Sequence, residues 1–447
     1  MAPDALDSLD KDDLKPLVLQ LLEQNAALTA RIAELEARLK VPPKTPTNSS
    51  VPPSKGQKAN RPDPAARKDR TGRPGVARAL HPAPDHISEI YADACSCGAA
   101  LSPADQPDVH AYDFIELPPI KPVTTRVHLH KGHCPRCKRR VTAKPPADMP
   151  PGSPFGPNIV STVTYLHACQ MVSYSRLTEV MGGLFGLILS EGAVANMLRR
   201  AARPFAEATD RIAATVRTSP VIASDETSAR VCGKTWWQWT FVAAEAVLHV
   251  IVPTRGKIVP VEFLAGAEPE VWISDRLAAQ GNHGRAHQVC LAHLIRDAQY
   301  AIDAGDTVFA PAFKAFLQRA CAIGRRRPDL ADATIKAYAR ELRRELDRLL
   351  GLRPTNTTGS NLKASIAVTA RHKLLVFLRR RDVEPTNNAS ERELRPSVIF
   401  RKVTNGFRSV WGAESYADIR SIVSTGRRNG QSPMTSIRAA LATPAAA

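Results

Sequence analysis

The chain has 447 residues, of which 43% are hydrophobic, so it can form several folded units with ordinary cores. Its 61 Lys and Arg against 43 Asp and Glu give a formal net charge of +18, which favours a polyanionic partner and above all nucleic acid. The acidic, polar first residues argue against a secretory signal and no apolar run is long enough to span a bilayer, so we expect a cytoplasmic protein, not bound to membranes, whose eight cysteines stay reduced.

Residues 1–40 are predicted to contain a coiled-coil helix, because apolar residues recur there with a period of 3.5. One series, spaced by seven, is Leu14, Leu21, Leu28 and Leu35, and the second, offset by four, is Val18, Asn25, Ile32 and Leu39. Asn25 is the polar residue of its series, and a buried Asn at such a position favours a parallel pair. We therefore expect a homodimer or a higher oligomer through this helix. One amphipathic helix packed on its own core is the alternative.

Residues 41–85 are predicted to be a basic, Pro-rich linker without apolar periodicity. From Lys55 to Arg78 the stretch holds eight Lys and Arg, offset only by Asp63 and Asp69. An extended basic tether of this kind could lie along phosphates, and a solvated linker without a partner fits the composition equally well.

Residues 86–150 contain two close cysteine pairs, which predict a zinc-ribbon-like domain. The pairs are Cys95 with Cys97 and Cys134 with Cys137, and strand-like stretches at 109–117 and 124–130 lie between them. Tetrahedral Zn²⁺ needs four ligands, which two such turns can supply together. The first pair is one residue shorter than the usual CxxC spacing, so a ribbon that folds without metal is the alternative.

Residues 151–215 are predicted to be helical. A helix ending at Gly182-Gly183 is followed by a short one, capped by Ser190, that runs from Glu191 to Arg200. This pattern is typical of a DNA-binding helix-turn-helix and also of an ordinary helical hairpin.

From Pro220 the pattern changes to strands, and two of the apolar runs end in an acid. Asp225 follows the first run and Asp275 follows the fourth. A helix is predicted to begin near His287, helical sequence continues over about 298–381, and a later helix with Asn388 as its cap carries Glu391. Residues 401–447 form a C-terminal segment.

This order of acids resembles an RNase H-like core, an α/β fold, which would span residues 216–400. Mg²⁺ or Mn²⁺ takes oxygen ligands, and two such ions can activate an attacking hydroxyl and stabilise a leaving 3′ oxygen. Two neighbouring acids, Glu226 and Glu393, compete with Asp225 and Glu391. Glu393 lies about 200° further round the helix than Glu391, so only one of these two can face the strands.

Several motifs together are similar to those of the insertion-sequence-66 transposases. They are the Pro43–Ser54 segment after the coiled coil, the paired cysteines, Asp225-Glu-Thr, the His287–Asp297 stretch, Asn387–Pro396 with Arg401-Lys402, and Ser421-Ile to Asn429-Gly430. The resemblance runs nearly end to end. It implies that Asp225, Asp275 and Glu391 form a DDE triad, with a helical insertion between the second and third acids.

The resemblance further implies a DNA transposase that cuts transposon ends and transfers the strand into target DNA, close to the nucleoid. Accessory proteins of the same element are an open question. A non-catalytic DNA-binding regulator and a nuclease that cuts without joining are the rival interpretations.

Two other groups of residues lie near the predicted triad. His287, Cys290 and His293 are spaced to share helix faces in pairs, and we expect them to brace the core or contact DNA rather than hold zinc. Basic residues crowd around Glu391 and are candidate phosphate contacts, or else ordinary surface charges: Arg392, Arg395, Arg401, Lys402 and Arg408.

Overall fold

A five-stranded mixed sheet forms the centre of the computed structural model, which describes residues 11–38, 42–49 and 78–442. Its strands are β3 (Val221–Val231), β4 (Lys234–Val242), β5 (Val247–Val252), β6 (Val271–Ser274) and β7 (Ala286–Val289). They are arranged in the order β5-β4-β3-β6-β7, with β4 antiparallel to both β3 and β5, and with β6 and β7 parallel to β3. The protein is therefore an α/β protein, as the sequence predicts.

The local sequence explains how β3 and β4 pair. Cys232 and Gly233 connect them with φ values of 48° and 77°, the two positive values of a tight hairpin turn. β4 is rich in Trp and β-branched residues, which suit a half-buried pleated surface. Helix α5 (Ile258–Leu264) follows β5 and lies in the connection that brings β6 back parallel to β3.

The pairing of β3 with β6 determines how the two predicted aspartates relate. Val221 is paired with Val271 and Ala223 with Ile273. Continued by two residues, this register places Asp225 level with Asp275. The central strand and its parallel neighbour therefore present their acids at the same height of the sheet.

Helices from before and after the strands pack beside the sheet and on one another. They are α2 (Pro157–Thr164), α3 (Tyr174–Phe185), α4 (Glu191–Arg217), α11 (Val410–Arg428) and α12 (Pro433–Ala442). Helix α4 packs on β5, and α2, α3 and α12 pack on α4. Helix α11 packs against β5 and α4. It also seals the edge strand, because the Ser421 hydroxyl accepts from the His249 N–H (2.8 Å) and the Thr425 hydroxyl accepts from the Val247 N–H (3.0 Å).

Helix α4 is much longer than predicted. It continues from Arg200 to Arg217 and passes through Pro204. The apolar stripe explains this, because Leu198, Phe205 and Val216 are all buried and their packing outweighs the backbone hydrogen bond that proline removes. The pattern α3, turn, α4 is present, but the second helix is built into the core along most of its length.

The stretch between β7 and the helix of Glu391 is helical. Helices α6 (Leu291–Asp303), α7 (Phe309–Arg326), α8 (Asp332–Leu350) and α9 (Thr357–Ser365) follow β7, and α10 (Asn388–Thr404) follows them. Phe309, Phe313 and Phe316 on α7 lie in one apolar core with Ile273 and Val289 of the sheet. The helical stretch therefore shares its core with the strands rather than forming a separate appendage.

The N-terminal region contains one long helix, α1 (Lys11–Arg38), whose apolar side chains are exposed where they are described. Leu21 and Leu28 are 55% and 63% exposed, so nothing in the described part of the chain covers that stripe. Among all the described residues, no helix is long and apolar enough to cross a membrane.

Part of the predicted linker packs on helix α6. Residues 42–49 form a turn in which Asn48 is 3% exposed, and its Nδ2 donates to Asp303 Oδ2 at the end of α6 (2.9 Å). The expectation of an unstructured tether is wrong for these eight residues. Most of the rest of 41–85 lies outside the described residues.

The ribbon region has less regular structure than the sequence predicts. A short hairpin, β1 (Lys131–His133) and β2 (Arg140–Thr142), carries the Cys134–Cys137 turn. The stretches 109–117 and 124–130 are not strands, and their apolar side chains, such as Phe114 at 82% exposure, have no core to pack on. β-branched and aromatic residues alone do not make a strand without a partner.

A buried acid on α11 makes stability depend on pH. Burial, with the charges of Asp210 and Glu414 adding to it, raises the pKa of Asp418 to about 7. Because this value is above that of the unfolded chain, the contribution of Asp418 to the free energy of unfolding falls as pH rises from about 4 to 7.

We expect Asp418→Asn to be more stable than the wild type above pH 7, by roughly 1–3 kcal/mol, and the difference to vanish near pH 4. Urea denaturation at both pH values measures this. Glu179→Gln on the exposed face of α3 should change neither value, and an equal gain at both pH values would contradict the assignment.

Candidate active site

The Asp225 carboxylate lies on the central strand, where other acids surround it. Its Oδ1 accepts the backbone N–H of Glu226 (2.9 Å). Burial raises the pKa of Asp225 well above its ordinary value, and the charges of Glu226, Asp275 and Glu391 raise it further. Asp225 is therefore within electrostatic reach of both other predicted acids.

Asp275 follows β6 in a turn that fixes its side chain. Its Oδ1 accepts the N–H of Leu277 (2.9 Å), and the next residue, Arg276, pairs with Asp297 of α6 (2.5 Å) and donates to Ser365 Oγ of α9 (2.8 Å). The segment after the second acid is thus fastened to the helical stretch.

Glu391 lies in the first turn of α10, with polar groups nearby but none in hydrogen-bonding contact. Its Oε1 is 3.8 Å from His293 Nδ1 and 3.9 Å from Arg296 Nη2. Both Glu391 Oε1 and His293 Nδ1 are buried without a hydrogen-bond partner among the described residues. Buried polar atoms of this kind call for a specific explanation.

The three predicted acids approach one another but do not meet. Among the described residues, the group of ligand atoms that all lie within 4.8 Å of one another is Cys290, His293 and Glu391. The carboxylates of Asp225, Asp275 and Glu391 do not form such a group here. They surround the same region from three elements, β3, the end of β6 and α10.

The two competing acids are engaged elsewhere. Glu226 accepts from Arg255 Nη2 (2.7 Å) and from Gln280 Nε2 (2.7 Å), and its side chain is 1% exposed. Glu393 faces Arg420 of α11 at 3.9 Å. Glu226 therefore already has a cationic partner, which distinguishes it from Asp225. Glu393 and Glu391 each have an arginine at 3.9 Å, so a neighbouring charge does not separate these two, and the element that each one faces does.

Asn387 connects the elements of the site, and sequence reasoning missed it. It is fully buried, its Nδ2 donates to the carbonyl of Ser224 (2.8 Å), and its backbone N–H donates to Cys290 Sγ (3.1 Å). It is also the residue before α10, which begins at Asn388; the prediction that Asn388 caps this helix is wrong. The signal in the sequence was the polar Asn387-Asn388 pair directly before a helix.

His287 and Cys290 do not share a helix face, because His287 is on β7 and α6 begins only at Leu291. His287 Nε2 is 2.9 Å from Ser274 Oγ. Since the Ser274 hydroxyl donates to the Asp275 carbonyl (2.9 Å), the imidazole donates to Ser274. Burial, more than the charges of Lys373 and His283, lowers the pKa of His287 to about 4. His287 thus braces the strand end that precedes Asp275.

The basic residues near Glu391 fall into two groups. Arg401 is half-buried and donates to the Ser228 carbonyl and to Ser228 Oγ (2.6 Å), so it joins α10 to β3. The others are exposed: Arg392, Arg395, Lys402 and Arg408. Arg392 also lines a cleft of about 640 Å³ between α6, α7 and the start of α10.

The four ribbon cysteines lie in two separate turns. Cys95 and Cys97 contact each other, as do Cys134 and Cys137, and in each pair hydrogen bonding lowers the pKa of the first thiol. In the part of the chain that is described, no three of the four come within 4.8 Å of one another.

Comparison with known proteins agrees with this arrangement. A family model described as the transposase IS66 family matches residues 152–415, more than half of the chain. The search of curated proteins found no match to this chain. The matched range runs from just before α2 into α11 and includes all three predicted acids, the helical stretch between them and Asn387. The resemblance is thereby confirmed for the motifs within residues 152–415, and the chain belongs to the transposase IS66 family.

Proposed function

We propose that this protein is a DDE-type DNA transposase with an RNase H-like core, which cuts at transposon ends and joins the freed strand to target DNA. The observation that carries the proposal is the register of β3 with β6, which puts Asp225 level with Asp275. The strand order, with two antiparallel neighbours on one side of β3 and two parallel strands on the other, supports the RNase H-like assignment.

Asp225, Asp275 and Glu391 would hold Mg²⁺ or Mn²⁺. The donor set fits, because all three are carboxylates, and a divalent cation would offset both the burial and the neighbouring negative charges that raise the pKa of Asp225. Bound ions would activate the attacking oxygen and stabilise the leaving 3′ oxygen. A movement of the Glu391 side chain towards Asp225 and Asp275 would complete the set.

The other residues of the site would position these acids and the DNA. The His287–Ser274 contact and the Leu277 N–H fix the end of β6 and with it Asp275. Exposed Arg392 and Arg395 would contact phosphates, which orients the DNA without reading its sequence.

The N-terminal regions would bring two transposon ends together. The exposed apolar stripe of α1 supports a homodimer or a higher oligomer through a coiled coil. The cysteine turns, which would hold Zn²⁺ if the two pairs converge, and the α3–α4 region would recognise the ends. Such a protein would work in the cytoplasm, at the nucleoid, with or without accessory proteins of its element.

Replacing two of the proposed acids, Asp225 and Glu391, and separately the acid near each one tests the assignment. With labelled end DNA, a plasmid target and Mg²⁺ or Mn²⁺, we expect Asp225→Asn and Glu391→Gln to lower joint formation roughly 100-fold or more. Glu226→Gln and Glu393→Gln should stay within about tenfold of the wild type. DNA binding of all four variants serves as the control.

If Glu393→Gln abolishes joining while Glu391→Gln does not, the third acid is wrongly assigned. Cleavage without joints would favour a nuclease, and binding without either would favour a regulator.

The exposed arginines can be tested against a pair with the same charge. Arg392→Ala combined with Arg395→Ala should weaken binding to all DNA sequences alike. It should also reduce the slope of log K against log salt by about 1 for each phosphate that is no longer neutralised. Arg343→Ala combined with Arg344→Ala removes two exposed charges from α8 and should leave that slope unchanged. Equal slopes for the two double variants would show that the salt dependence of DNA binding reflects net charge alone, which would contradict the assigned phosphate contacts.

Asn387 can be tested by a substitution that keeps its size. Asn387→Leu removes the bond to the Ser224 carbonyl and leaves a buried acceptor unpaired, which costs about 1–3 kcal/mol of folding stability. We expect joint formation to fall by more than the decrease in folded protein explains, because Glu391 is no longer held in position. Thermal melts and joint assays on the same preparations measure both effects. Activity that follows the folded fraction would limit Asn387 to a structural role.

A further inference from the structure

The starts of helices α6 and α10 bring a thiol, an imidazole and a carboxylate to one point. Cys290 immediately precedes α6, His293 lies in its first turn, and Glu391 lies in the first turn of α10. Their Sγ, ring nitrogen and carboxylate oxygen all lie within 4.8 Å of one another. Cys290 is fully buried, and the other two side chains are 18% and 26% exposed.

The polar atoms at this point are not satisfied by the protein. His293 Nδ1 and Glu391 Oε1 face each other at 3.8 Å, beyond hydrogen-bonding distance, and both are buried without a partner among the described residues. Two buried, unpaired polar atoms cost free energy, and a cation between them removes that cost. Cys290 Sγ adjoins them and accepts the N–H of Asn387 (3.1 Å). Burial outweighs this contact and raises the pKa of the thiol to about 11, so a bound cation has to displace the thiol proton.

The donor types decide which cation fits. Mg²⁺ and Ca²⁺ are hard ions that bind oxygen, whereas a thiol, an imidazole and a carboxylate together suit Zn²⁺. Three protein ligands leave one tetrahedral position free for water or a DNA oxygen. Arg296, 3.9 Å from Glu391, is the cation that partly compensates this carboxylate without metal.

We propose that Cys290, His293 and Glu391 form a binding site for Zn²⁺ that joins α6 to α10. This site is separate from the ribbon cysteines and differs in chemistry from the magnesium site proposed above, although both would use Glu391. Zn²⁺ bound here holds Glu391 towards α6. It therefore competes with the placement of Glu391 beside Asp225 and Asp275 that the proposed strand-transfer reaction needs. The binding itself does not depend on the proposed function, whereas the competition does.

Metal binding by the full-length protein tests the site directly. Protein stripped with a chelator and titrated with Zn²⁺ or Co²⁺ should bind one equivalent fewer in Cys290→Ser and in His293→Gln than in the wild type. The matched control is Cys321→Ser, which alters another buried thiol, on α7, outside the cluster. It should bind as many equivalents as the wild type. The visible bands of tetrahedral Co²⁺ provide a second readout. These bands should be weaker in the two ligand variants than in the wild type, and they should be as intense in the control as in the wild type.

Thermal melts separate the absence of metal from misfolding. Zn²⁺ should raise the Tm of the Cys321→Ser protein more than that of folded Cys290→Ser or His293→Gln, because a ligand that binds the native state stabilises it. If neither ligand variant folds, Glu391→Gln, at the more exposed ligand, decides by the same measurements. Equal stoichiometry, equal Co²⁺ spectra and equal Tm shifts in all folded proteins would overturn the proposal.

Joint assays then address the competition. Micromolar Zn²⁺ should inhibit Mg²⁺-dependent joining by the wild type and the Cys321→Ser control, and inhibition should be weaker in Cys290→Ser. Equal inhibition of all three would reject the competition. A protein that binds Zn²⁺ as expected but makes no joints would contradict the proposed function and leave the metal site intact.

Discussion

The burial of one amide, that of Asn387, is the constraint on which the geometry of the site depends. Its side chain donates to the carbonyl of Ser224, directly before Asp225, and its backbone N–H donates to Cys290 at the start of α6. Because Asn387 also precedes α10, the helix of Glu391 begins at a fixed distance from the strand of Asp225. The donating half of the amide is satisfied in this way, whereas Asn387 Oδ1 is buried without a hydrogen-bond partner among the described residues.

This constraint gathers carboxylates that repel each other. Burial first, and then the charges of Glu226, Asp275 and Glu391, raise the pKa of Asp225, while the pairing of β3 with β6 keeps Asp225 level with Asp275. The neighbouring Glu226 shows the contrast, since Arg255 and Gln280 hydrogen-bond its carboxylate. Acids without such partners, kept close by the surrounding fold, are typical of sites that recruit cations.

The sequence was sufficient where one strong local signal was present. Alternating and continuous apolar runs predicted the strands that carry Asp225 and Asp275, because burial in a sheet depends on a short-range pattern. The sequence was insufficient where contacts between residues far apart in the chain determine the structure. The continuation of α4 through Pro204 depends on packing against α11, and the start of α6 at Leu291 depends on β7 pairing with β6. The convergence of Cys290 with Glu391 joins residues about a hundred positions apart, and no local pattern reports it.

A long helical insertion need not loosen the site that it interrupts, provided that both of its ends are fastened. At the departing end, the Gln288 side chain of β7 donates to the Leu374 carbonyl (3.1 Å) and accepts the Phe377 N–H (3.0 Å).

At the returning end, the buried guanidinium of Arg327 donates to the carbonyls of Phe377 (2.7 Å) and Arg381 (2.7 Å), and Leu291 N–H donates to the Pro385 carbonyl (3.0 Å). The cost of closing a loop grows only slowly with its length, so once these contacts are made the length of the insertion matters little. The chain therefore re-enters the core beside the strand from which it left, and Glu391 reaches the part of the sheet where Asp225 and Asp275 lie.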